Sequence, residues 1–288
     1  MTRKPILLAT DLSCRCDRAL DRATSLAAAW KAPLVVLHVL QEPGQNKELP
    51  SWRHLGVHQA AVDRVRRDLR ETEGVQVEVI VESGEPSSVI AEVSRRLGCE
   101  IIVTGVARDE TLGRMFLGNT VTALTRQAGM PVLVVKSRSV REYQNVIVAS
   151  DFSEGSRHAL EAAATLLPGA NVRLFHCIST IFDGLADDER AGLEAATHQA
   201  MIEAREFLAA TPALADSGRA VQAACEHGEI AEMLQKQVES QGCDLVVVGT
   251  KGRSGLAGLL LGSVAQHLLS NLPVDVLVVN QRKAGGAA

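Results

Sequence analysis

The chain has 288 residues, which is long enough for one large domain or two of ordinary size. Hydrophobic residues make up 46%, charged residues 22% and aromatic residues only 3%, a composition that excludes a disordered chain and indicates aliphatic cores. The formal net charge of -4 gives no general attraction to nucleic acid or to an anionic membrane, so we expect neither as a partner.

The sequence shows no recognisable membrane or export signal. No apolar run reaches the roughly 18 residues of a membrane-spanning helix. Residues 1–5 lead into the first apolar run without the long hydrophobic stretch of a signal peptide. Six cysteines in such a chain indicate reduced thiols, and the sequence therefore predicts a cytoplasmic protein.

The predicted elements occur twice along the chain. In the first copy an apolar run ends in Thr10-Asp11-Leu12-Ser13, before an alanine-rich amphipathic segment at residues 17–30. In the second copy the run ends in Ser150-Asp151-Phe152-Ser153, before a similar segment at residues 154–167. Further matches follow in the same order to the end of each half, so we infer a tandem duplication.

Each half alternates short β-branched runs with helical patterns, which predicts βαβ units and an α/β fold. We predict five strands per half, at residues 5–10, 33–39, 75–82, 100–105 and 131–136, and then at 144–150, 171–178, 219–225, 243–249 and 274–280. The second helix of each half is the longest, at residues 57–73 and 185–210. We place the first domain at residues 1–138 and the second at 143–282, each with a parallel sheet covered by helices on both faces.

Several features of the second half converge on one edge of the predicted sheet. Asp151 follows strand 1, and Cys177 closes strand 2. Strand 4 runs into the glycine-rich loop 249–255, after which Gly262-Ser263 opens a helix. Ligands of an open parallel sheet bind at the carboxyl ends of its strands, where glycines expose backbone N–H groups and a helix N-terminus favours phosphate. The pattern Gly-x2-Gly-x9-Gly-Ser therefore predicts a nucleotide site, to which Asp151 offers hydrogen bonds or a metal ligand.

This glycine spacing, within the duplicated pattern, resembles the universal stress protein A family in its tandem form, from Pro5 to Gln281. The resemblance implies two tandem flavodoxin-like (Rossmann-like) domains with strand order 3-2-1-4-5. It also implies a stress-response protein that binds ATP, ADP or AMP, with or without Mg. The contacts that it implies in the second half are Ala149, Ser150, Asp151, Cys177, Val248, Gly249, Lys251, Gly252, Gly262, Ser263 and Val264. The first three would flank the adenosine, Cys177 would meet the adenine, and the others would surround ribose and phosphates.

The first half departs from this pattern at two positions. Arg108 replaces the middle glycine, and Asn119 replaces the serine. An arginine backbone is less free to adopt the loop, and its side chain either fills the pocket or reaches a phosphate. The candidate contacts that remain in this half are Asp11, Val39, Gly105, Gly118 and Asn119. We expect this first site to be degenerate.

Simpler roles are open for some of these polar residues. Asp11 and Asp151 also suit the N-cap of the helix that follows, and both roles can hold together. His38 and His176 recur at one strand position, which favours packing or pocket-wall residues over catalytic bases. We predict no catalytic residue, because no nucleophile, base and orienting group occur as a set and no Walker loop is present.

The sequence predicts no metal site built from side chains alone. Cys14-x-Cys16 has no second pair nearby in sequence, so separate thiols are favoured over a zinc site. His54 and His58 would share a helix face but show no acidic or cysteine partner. Cys99 and Cys243 precede strand 4 in the two halves, which is typical of small core residues.

Three functions stay open from the sequence. The leading hypothesis is an adenine-nucleotide-binding stress-response protein that acts as a sensor or adaptor. The second is a slow metal-dependent ATPase or phosphotransferase that uses Asp151. The third is a nucleotide-free scaffold that binds partner proteins.

The last strand of each half predicts how the halves assemble. Residues 132–135 and 276–279 are apolar edge strands, and an exposed edge invites pairing. The family resemblance implies that such strands pair across a dimer in single-domain members. We therefore expect an intramolecular pseudo-dimer of the two domains, while dimerisation of the whole chain stays open.

Overall fold

The computed structural model describes residues 3–13, 16–40, 59–60, 62–67, 74–108, 115–116, 118–138, 141–178, 189–250, 252 and 262–280. The chain divides into two compact units, Met1–Glu142 and Tyr143–Ala288. Within the described part of the chain, no helix is both long enough and apolar enough to cross a bilayer.

The first unit is built around a parallel sheet. Its elements are β1 (Ile6–Thr10), α1 (Asp17–Trp30), β2 (Leu34–Leu40), α2 (described over residues 62–67), β3 (Val77–Ser83), α3 (Pro86–Arg96), β4 (Ile101–Gly105), β5 (Ala107–Arg108), β6 (Met115–Phe116), α4 (Asn119–Gln127) and β7 (Val132–Val135). Five strands form the sheet in the spatial order β3-β2-β1-β4-β7, and each neighbouring pair is parallel. The two short strands β5 and β6 pair with each other in the antiparallel direction.

The second unit repeats this plan. Its elements are β8 (Asn145–Ala149), α5 (Glu154–Leu166), β9 (Asn171–Ile178), α6 (Glu189–Ala209), α7 (Pro212–Ser217), β10 (Gln222–His227), α8 (Ile230–Gln241), β11 (Leu245–Gly249), α9 (Ser263–Asn271) and β12 (Asp275–Val279). The strands lie in the order β10-β9-β8-β11-β12, again with parallel neighbours. Both units thus have the order 3-2-1-4-5, which confirms the predicted flavodoxin-like α/β fold.

The central strands are apolar without interruption because both faces of each sheet are covered. Successive side chains of a strand point to opposite faces, yet Ile6 and Leu7 of β1 are both 0% exposed, as are Val246 and Val247 of β11. In the second unit α5 and α6 each contact α7, while α8 contacts α9, so two separate groups of helices pack on the strands. The edge strands β3 and β10 are mostly half-buried and carry polar residues.

Arg219 lies just before β10, the strand whose predicted bounds differ most from those observed. Its Nη1 donates to the carbonyl oxygens of Ala164 and Leu167 at 3.2 and 3.1 Å, and its Nη2 donates to that of Ala170. These carbonyls lie at and just beyond the end of α5. Arg219 therefore bonds to that helix end and lies in the segment before the strand. β10 therefore begins at Gln222, and not at residue 219 as the sequence pattern predicts.

Three further elements were not predicted. α7 has six residues, which is less than two helical turns and too short for a periodic apolar pattern. β5 and β6 have two residues each, so they carry no alternation that a sequence could show. The longest helix of the second half was predicted at residues 185–210 and lies at Glu189–Ala209.

Candidate functional site

A cavity of about 290 Å³ opens at the carboxyl edge of the second sheet, where β8 and β11 end and α9 begins. The residues predicted from the sequence that line it are Ala149, Ser150, Asp151, Cys177, Val248, Gly249, Gly252, Gly262 and Val264. Its other lining residues are Ser156, His176, Ile230, Thr250 and Ala265. Lys251 lies outside the described residues, and Ser263 begins α9 with a side chain that is likewise not described.

The Asp151 carboxylate is held by residues of its own turn. Its Oδ1 accepts a hydrogen bond from the Ser153 N–H at 3.1 Å and another from the Ser156 Oγ at 2.7 Å. Phe152 has a φ of 60°, a left-handed conformation that is uncommon for a residue with a side chain. The Phe152 N–H donates to the Ser150 Oγ at 3.0 Å. This turn places Asp151 on the cavity while the chain passes into α5.

The aspartates do not cap the helices that follow them. The N-cap of α5 is Ser153, whose Oγ accepts from the Ser156 N–H at 3.3 Å. The N-cap position of α1 is Cys16, which makes no capping bond from its side chain. The N-cap role that suited Asp11 and Asp151 is therefore wrong, because Cys16 and Ser153 occupy the N-cap positions.

Two glycines, one at the end of β11 and one just after it, stand where an added Cβ would lie within 3 Å of another residue. A Cβ on Gly249 would lie 2.6 Å from the Gly155 carbonyl oxygen, so the close approach of β11 to the start of α5 requires glycine. A Cβ on Gly252 would lie 2.6 Å from Asp151 Oδ2. The first glycine of the motif thus serves packing, and the second keeps space beside the carboxylate.

The start of α9 contributes backbone groups to the same cavity. Gly262 is the N-cap residue, and no side chain caps this end of the helix. The Gly262 N–H donates to the Thr250 carbonyl oxygen at 3.2 Å, which ties the helix start to the end of β11. Val264 and Ala265 line the cavity from the first turn. The first N–H groups of a helix have no partner within it and carry partial positive charge, so they suit an anion.

β9 contributes Cys177 to the lining, with its thiol turned towards the backbone. The Sγ donates to the Gly228 carbonyl oxygen at 3.1 Å. Burial raises the pKa of the Cys177 thiol, and the carboxylates of Glu229 and Glu226 raise it further. The thiol is therefore neutral at physiological pH and is not an activated nucleophile.

His176 also lines the cavity, which agrees with its predicted role as a pocket-wall residue. Its Nδ1 lies 2.8 Å from the Ser150 carbonyl oxygen, and a carbonyl only accepts, so Nδ1 carries the proton. Phe152 stacks on this ring with centroids 4.3 Å apart. In the first unit His38 makes the same contact to Thr10 at 2.9 Å. The histidine thus braces the end of strand 1 in both units.

The turn around Asp11 in the first unit has a different set of donors. Asp11 Oδ1 accepts from the Ser13 N–H at 2.9 Å, from the Ser13 Oγ at 2.6 Å and from the Cys16 Sγ at 3.1 Å. Burial raises the pKa of the Cys16 thiol to about 11, so the sulfur keeps its proton. The cavity beside this turn, which Thr10 and Val36 also line, measures about 20 Å³. That volume holds about one water molecule.

The other candidate residues of the first unit occupy the places of their counterparts. Val39 is half-buried near the end of β2, and Gly105 is buried at the end of β4. Gly118 is the N-cap of α4, and the exposed Asn119 is the first residue of that helix. Arg108 lies in β5, and its side chain is outside the described part of the chain.

The remaining cysteine and histidine predictions separate into two groups. Cys99 and Cys243 are buried, and burial raises the pKa of both thiols to about 11, as suits core residues. Cys14, His54 and His58 lie outside the described residues. Among the residues that the structure describes, no three His, Cys, Asp or Glu side chains are grouped to hold a metal ion.

Sequence reasoning missed Ser156, although the duplication contained a signal for it. Ser156 follows Asp151 by five residues, as Cys16 follows Asp11, so the two halves place a small hydrogen-bond donor at the same distance. Ile230, Thr250 and Ala265 are ordinary small or apolar residues, and nothing in the sequence distinguishes them. Their place on the cavity follows from the packing of β11, α8 and α9.

Comparison with known proteins accounts for both units. The universal stress protein family model matches residues 2–136 and 142–280. A universal stress protein of Mycobacterium tuberculosis is 28% identical over 96% of this chain and 97% of its own length, and one of Mycolicibacterium smegmatis is 26% identical over 98% of each. A functionally unknown protein from Pseudomonas aeruginosa PAO1 shares the fold, with a TM-score of 0.70 at 22% identity over 97% of this chain and 93% of that one. A universal stress protein from Archaeoglobus fulgidus has a TM-score of 0.65 at 19% identity, over 99% and 98%. Because the family model matches each half in turn, the chain belongs to the universal stress protein family and carries two copies of its domain.

Proposed function

We propose that the second unit binds an adenine nucleotide, ATP, ADP or AMP, at the carboxyl edge of its sheet, and that the protein acts as a stress-response sensor or adaptor. The observation that carries the proposal is a single cavity of about 290 Å³ lined by Asp151, by Gly249 and Gly252, and by the start of α9. Small-molecule pockets occupy roughly 300 to 1,000 Å³, so this cavity lies at the lower end of that range.

The phosphates would bind at the start of α9. Gly262 and Val264 both line the cavity there, and the backbone N–H groups of this first turn suit a phosphate oxygen. The missing side chain of Gly252 leaves space between this helix end and Asp151. Lys251 and Ser263 would add donors, as the family resemblance implies.

The nucleoside would lie between β8 and β9. Asp151 offers carboxylate oxygens to ribose hydroxyls or to the adenine amino group, both of which donate hydrogen bonds. Cys177 and His176 line the same cavity from β9, and the thiol is neutral and already bonded to Gly228. A neutral, partly apolar wall suits a flat base better than it suits a charged group.

A magnesium ion fits this site only together with phosphates. Asp151 is the one carboxylate among the lining residues named above, and no group of three potential ligands occurs among the described residues. Mg²⁺ is commonly held by one or two carboxylates with substrate phosphates and water, so Asp151 would be its protein ligand. The ion would neutralise phosphate charge.

A measurement of turnover distinguishes the sensor role from the alternative, a slow metal-dependent ATPase or phosphotransferase. Phosphate release from ATP would be followed with Mg²⁺ or Mn²⁺, and Asp151→Ala would serve as the control. Turnover that depends on Asp151 would favour the enzyme. Binding without turnover favours the sensor or adaptor, and absence of both favours a nucleotide-free scaffold.

The direct test is titration of ATP and AMP by calorimetry into the wild-type protein and a Gly252→Arg variant. We expect the variant to bind at least a hundredfold more weakly, because the new side chain begins 2.6 Å from Asp151 Oδ2. Gly169→Arg is the matched control, since a Cβ at this exposed glycine of the same unit meets nothing within 4 Å. Equal affinities of the wild type and the Gly252→Arg variant would exclude this loop as the binding site.

We propose that the first unit has the same fold as the second but does not bind a nucleotide. Arg108 stands where the second unit has Gly252, and Asn119 stands where it has Ser263. One nucleotide bound per chain in the same titration is the expected result. The pairing of the two units through their last strands and the cytoplasmic location stay predictions from the sequence.

A further inference from the structure

Ser156 is a buried hydroxyl whose hydrogen bonds can be assigned. It is 3% exposed, and its Oγ lies 2.7 Å from Asp151 Oδ1, 3.1 Å from the Ser153 carbonyl oxygen and 3.1 Å from the Ser153 Oγ. A serine hydroxyl has one proton to donate, and the charged carboxylate at the shortest distance is the strongest acceptor. Ser156 therefore donates to Asp151, and the Ser153 hydroxyl is placed to donate to Ser156 in turn.

This arrangement gives the two carboxylate oxygens of Asp151 different surroundings. Oδ1 accepts both from the Ser153 N–H and from Ser156, so it is directed into the turn. Oδ2 lies on the side of Gly252, where an added Cβ would approach it to 2.6 Å. Rotation of the carboxylate about its last bond would exchange the two oxygens, and the hydrogen bond from Ser156 opposes that rotation.

We propose that Ser156 is a positioning residue for the nucleotide, acting through Asp151. By fixing Oδ1, its hydroxyl presents Oδ2 to a ligand donor such as a ribose hydroxyl or the adenine amino group. This role rests on the proposed nucleotide site. A carboxylate that is oriented before binding loses less conformational freedom when the ligand binds, and the affinity is therefore higher.

The first unit shows the same turn with a weaker donor. Cys16 stands where the second unit has Ser156, and its Sγ lies 3.1 Å from Asp11 Oδ1. A thiol is a weak donor, and burial raises the pKa of Cys16 to about 11, so the contact is that of a neutral thiol. Ser13 compensates, because its Oγ bonds Asp11 directly at 2.6 Å. Exchanging serine for cysteine in the second unit therefore weakens the positioning bond with little change in size.

The first experiment compares the wild type with Ser156→Ala and Ser156→Cys by calorimetric titration with ATP. We expect an affinity about tenfold lower for Ser156→Ala, because a hydrogen bond to a charged group is lost, and a smaller loss for Ser156→Cys. Two variants serve as matched controls: Cys16→Ser makes the reciprocal exchange, and Ser94→Ala removes a buried hydroxyl that bonds the Ala91 carbonyl. Both controls are expected to bind ATP within twofold of the wild type.

The second experiment separates positioning from a general loss of structure. Ser156→Ala is repeated in an Asp151→Ala background, with dissociation constants up to the millimolar range followed by ligand-observed NMR. If Ser156 acts through Asp151, its replacement in that background changes the affinity less than twofold, since the group it positions is gone. A tenfold loss in both backgrounds would overturn the positioning role.

The remaining outcomes distinguish this inference from the proposed function. If Ser156→Ala and the wild type bind ATP with equal affinity, the positioning role of Ser156 is overturned, while the proposed nucleotide site is not. A wild-type protein that binds neither ATP nor AMP would overturn both. Thermal unfolding of each variant without ligand shows whether the fold is intact.

Discussion

The carboxyl edges of the two sheets differ although the frameworks beneath them agree. In the second unit the edge holds a cavity of about 290 Å³, whereas in the first unit Arg108 and Asn119 stand where the second has Gly252 and Ser263. The strand orders are the same, and Leu12 and Phe152 share a φ of 60° in equivalent turns. Backbone geometry has therefore been retained where it supports the fold, and the side chains around the ligand position have changed.

The differences lie at positions that a nucleotide would touch or that support such a contact. Gly252 corresponds to Arg108, and Ser156 corresponds to Cys16. Neither replacement disturbs the sheet, since β4 and β11 keep equivalent neighbours. The two copies of the domain thus differ at these positions while their sheets keep the same strand order.

Gly249→Ala is expected to have the largest effect, on both the stability and the ATP binding of the second unit. The new Cβ would lie 2.6 Å from the Gly155 carbonyl oxygen, which is backbone and cannot move without shifting the start of α5. We expect the free energy of unfolding of the second unit to fall by about 3 kcal/mol and ATP binding to be lost. Urea unfolding and calorimetry measure these changes. Gly169→Ala, at an exposed glycine where a Cβ meets nothing within 4 Å, is the control. Wild-type behaviour of Gly249→Ala would show that close packing does not explain this glycine.

Arg219→Ala tests a stabilising contact of the second unit. α5 ends without a left-handed cap, and Arg219 instead donates to the carbonyl oxygens of Ala164 and Leu167. Charged donors make stronger hydrogen bonds, and this side chain is half-buried. We therefore expect the free energy of unfolding, measured with urea, to fall by about 2 kcal/mol. Arg190→Ala removes an ion pair whose side chains are 90% and 72% exposed, and it should change stability by less than about 0.5 kcal/mol. Equal effects of the two replacements would contradict the role of Arg219.

The ends of α1 and α8 allow a reciprocal exchange between the units. α1 ends at Lys31 with φ 52°, and α8 ends at Gly242 with φ 58°, so one left-handed position carries a side chain and the other does not. We expect Lys31→Gly to raise the free energy of unfolding by about 0.5 kcal/mol and Gly242→Lys to lower it by about 1 kcal/mol, because a Cβ is unfavourable in this conformation. Thermal and urea unfolding test both. Changes of the same sign would refute the explanation.

The smallest effect concerns pH and the N-cap of α3. Hydrogen bonds from the Ser87 hydroxyl and the Ser88 N–H lower the pKa of Glu85 from 4.5 to about 2. A carboxylate with a lowered pKa stabilises the folded state fully above pH 4.5, and this contribution is lost as the pH falls towards about 2. We expect the free energy of unfolding of the wild type to exceed that of Glu85→Gln by only about 0.5 kcal/mol at pH 6, because the carboxylate is exposed and screened by solvent.

That difference should vanish on acidification. Urea unfolding of both proteins at several pH values between about 2 and 6 measures it. A difference that stays constant over this range would show that the charge of Glu85 does not contribute through its capping bonds.

Much of the fold could be predicted because burial on both faces makes strands easy to find. β1 was predicted at residues 5–10 and lies at Ile6–Thr10, and β11 was predicted at 243–249 and lies at Leu245–Gly249. The third strand of the second half begins at Gln222 rather than at residue 219, because Arg219 donates to the end of a helix far away in sequence. An edge strand with half-buried residues leaves a weaker pattern than a central one.

The candidate site was predictable where a residue type follows from spacing alone. Gly249, Gly252 and Gly262 were found from their pattern, and the structure gathers them around one cavity. Ser156 was not found, because its importance depends on a left-handed turn at Phe152 that brings its hydroxyl to a carboxylate five residues earlier. Turn geometry of that kind leaves no periodic signal in a sequence, and only the equal spacing of Cys16 from Asp11 in the first half pointed to it.

The glycines that end β3 and β10 have a consequence for engineering. Gly84 and Gly228 share a φ of 144°, and an added Cβ would lie 2.9 Å from the Val89 side chain or 3.1 Å from that of Met233. Both positions therefore favour glycine, because L side chains rarely adopt this φ. A library that randomises the segment between β4 and α4 can search for new small-molecule specificities in one domain, while the other domain stays unchanged as an internal reference.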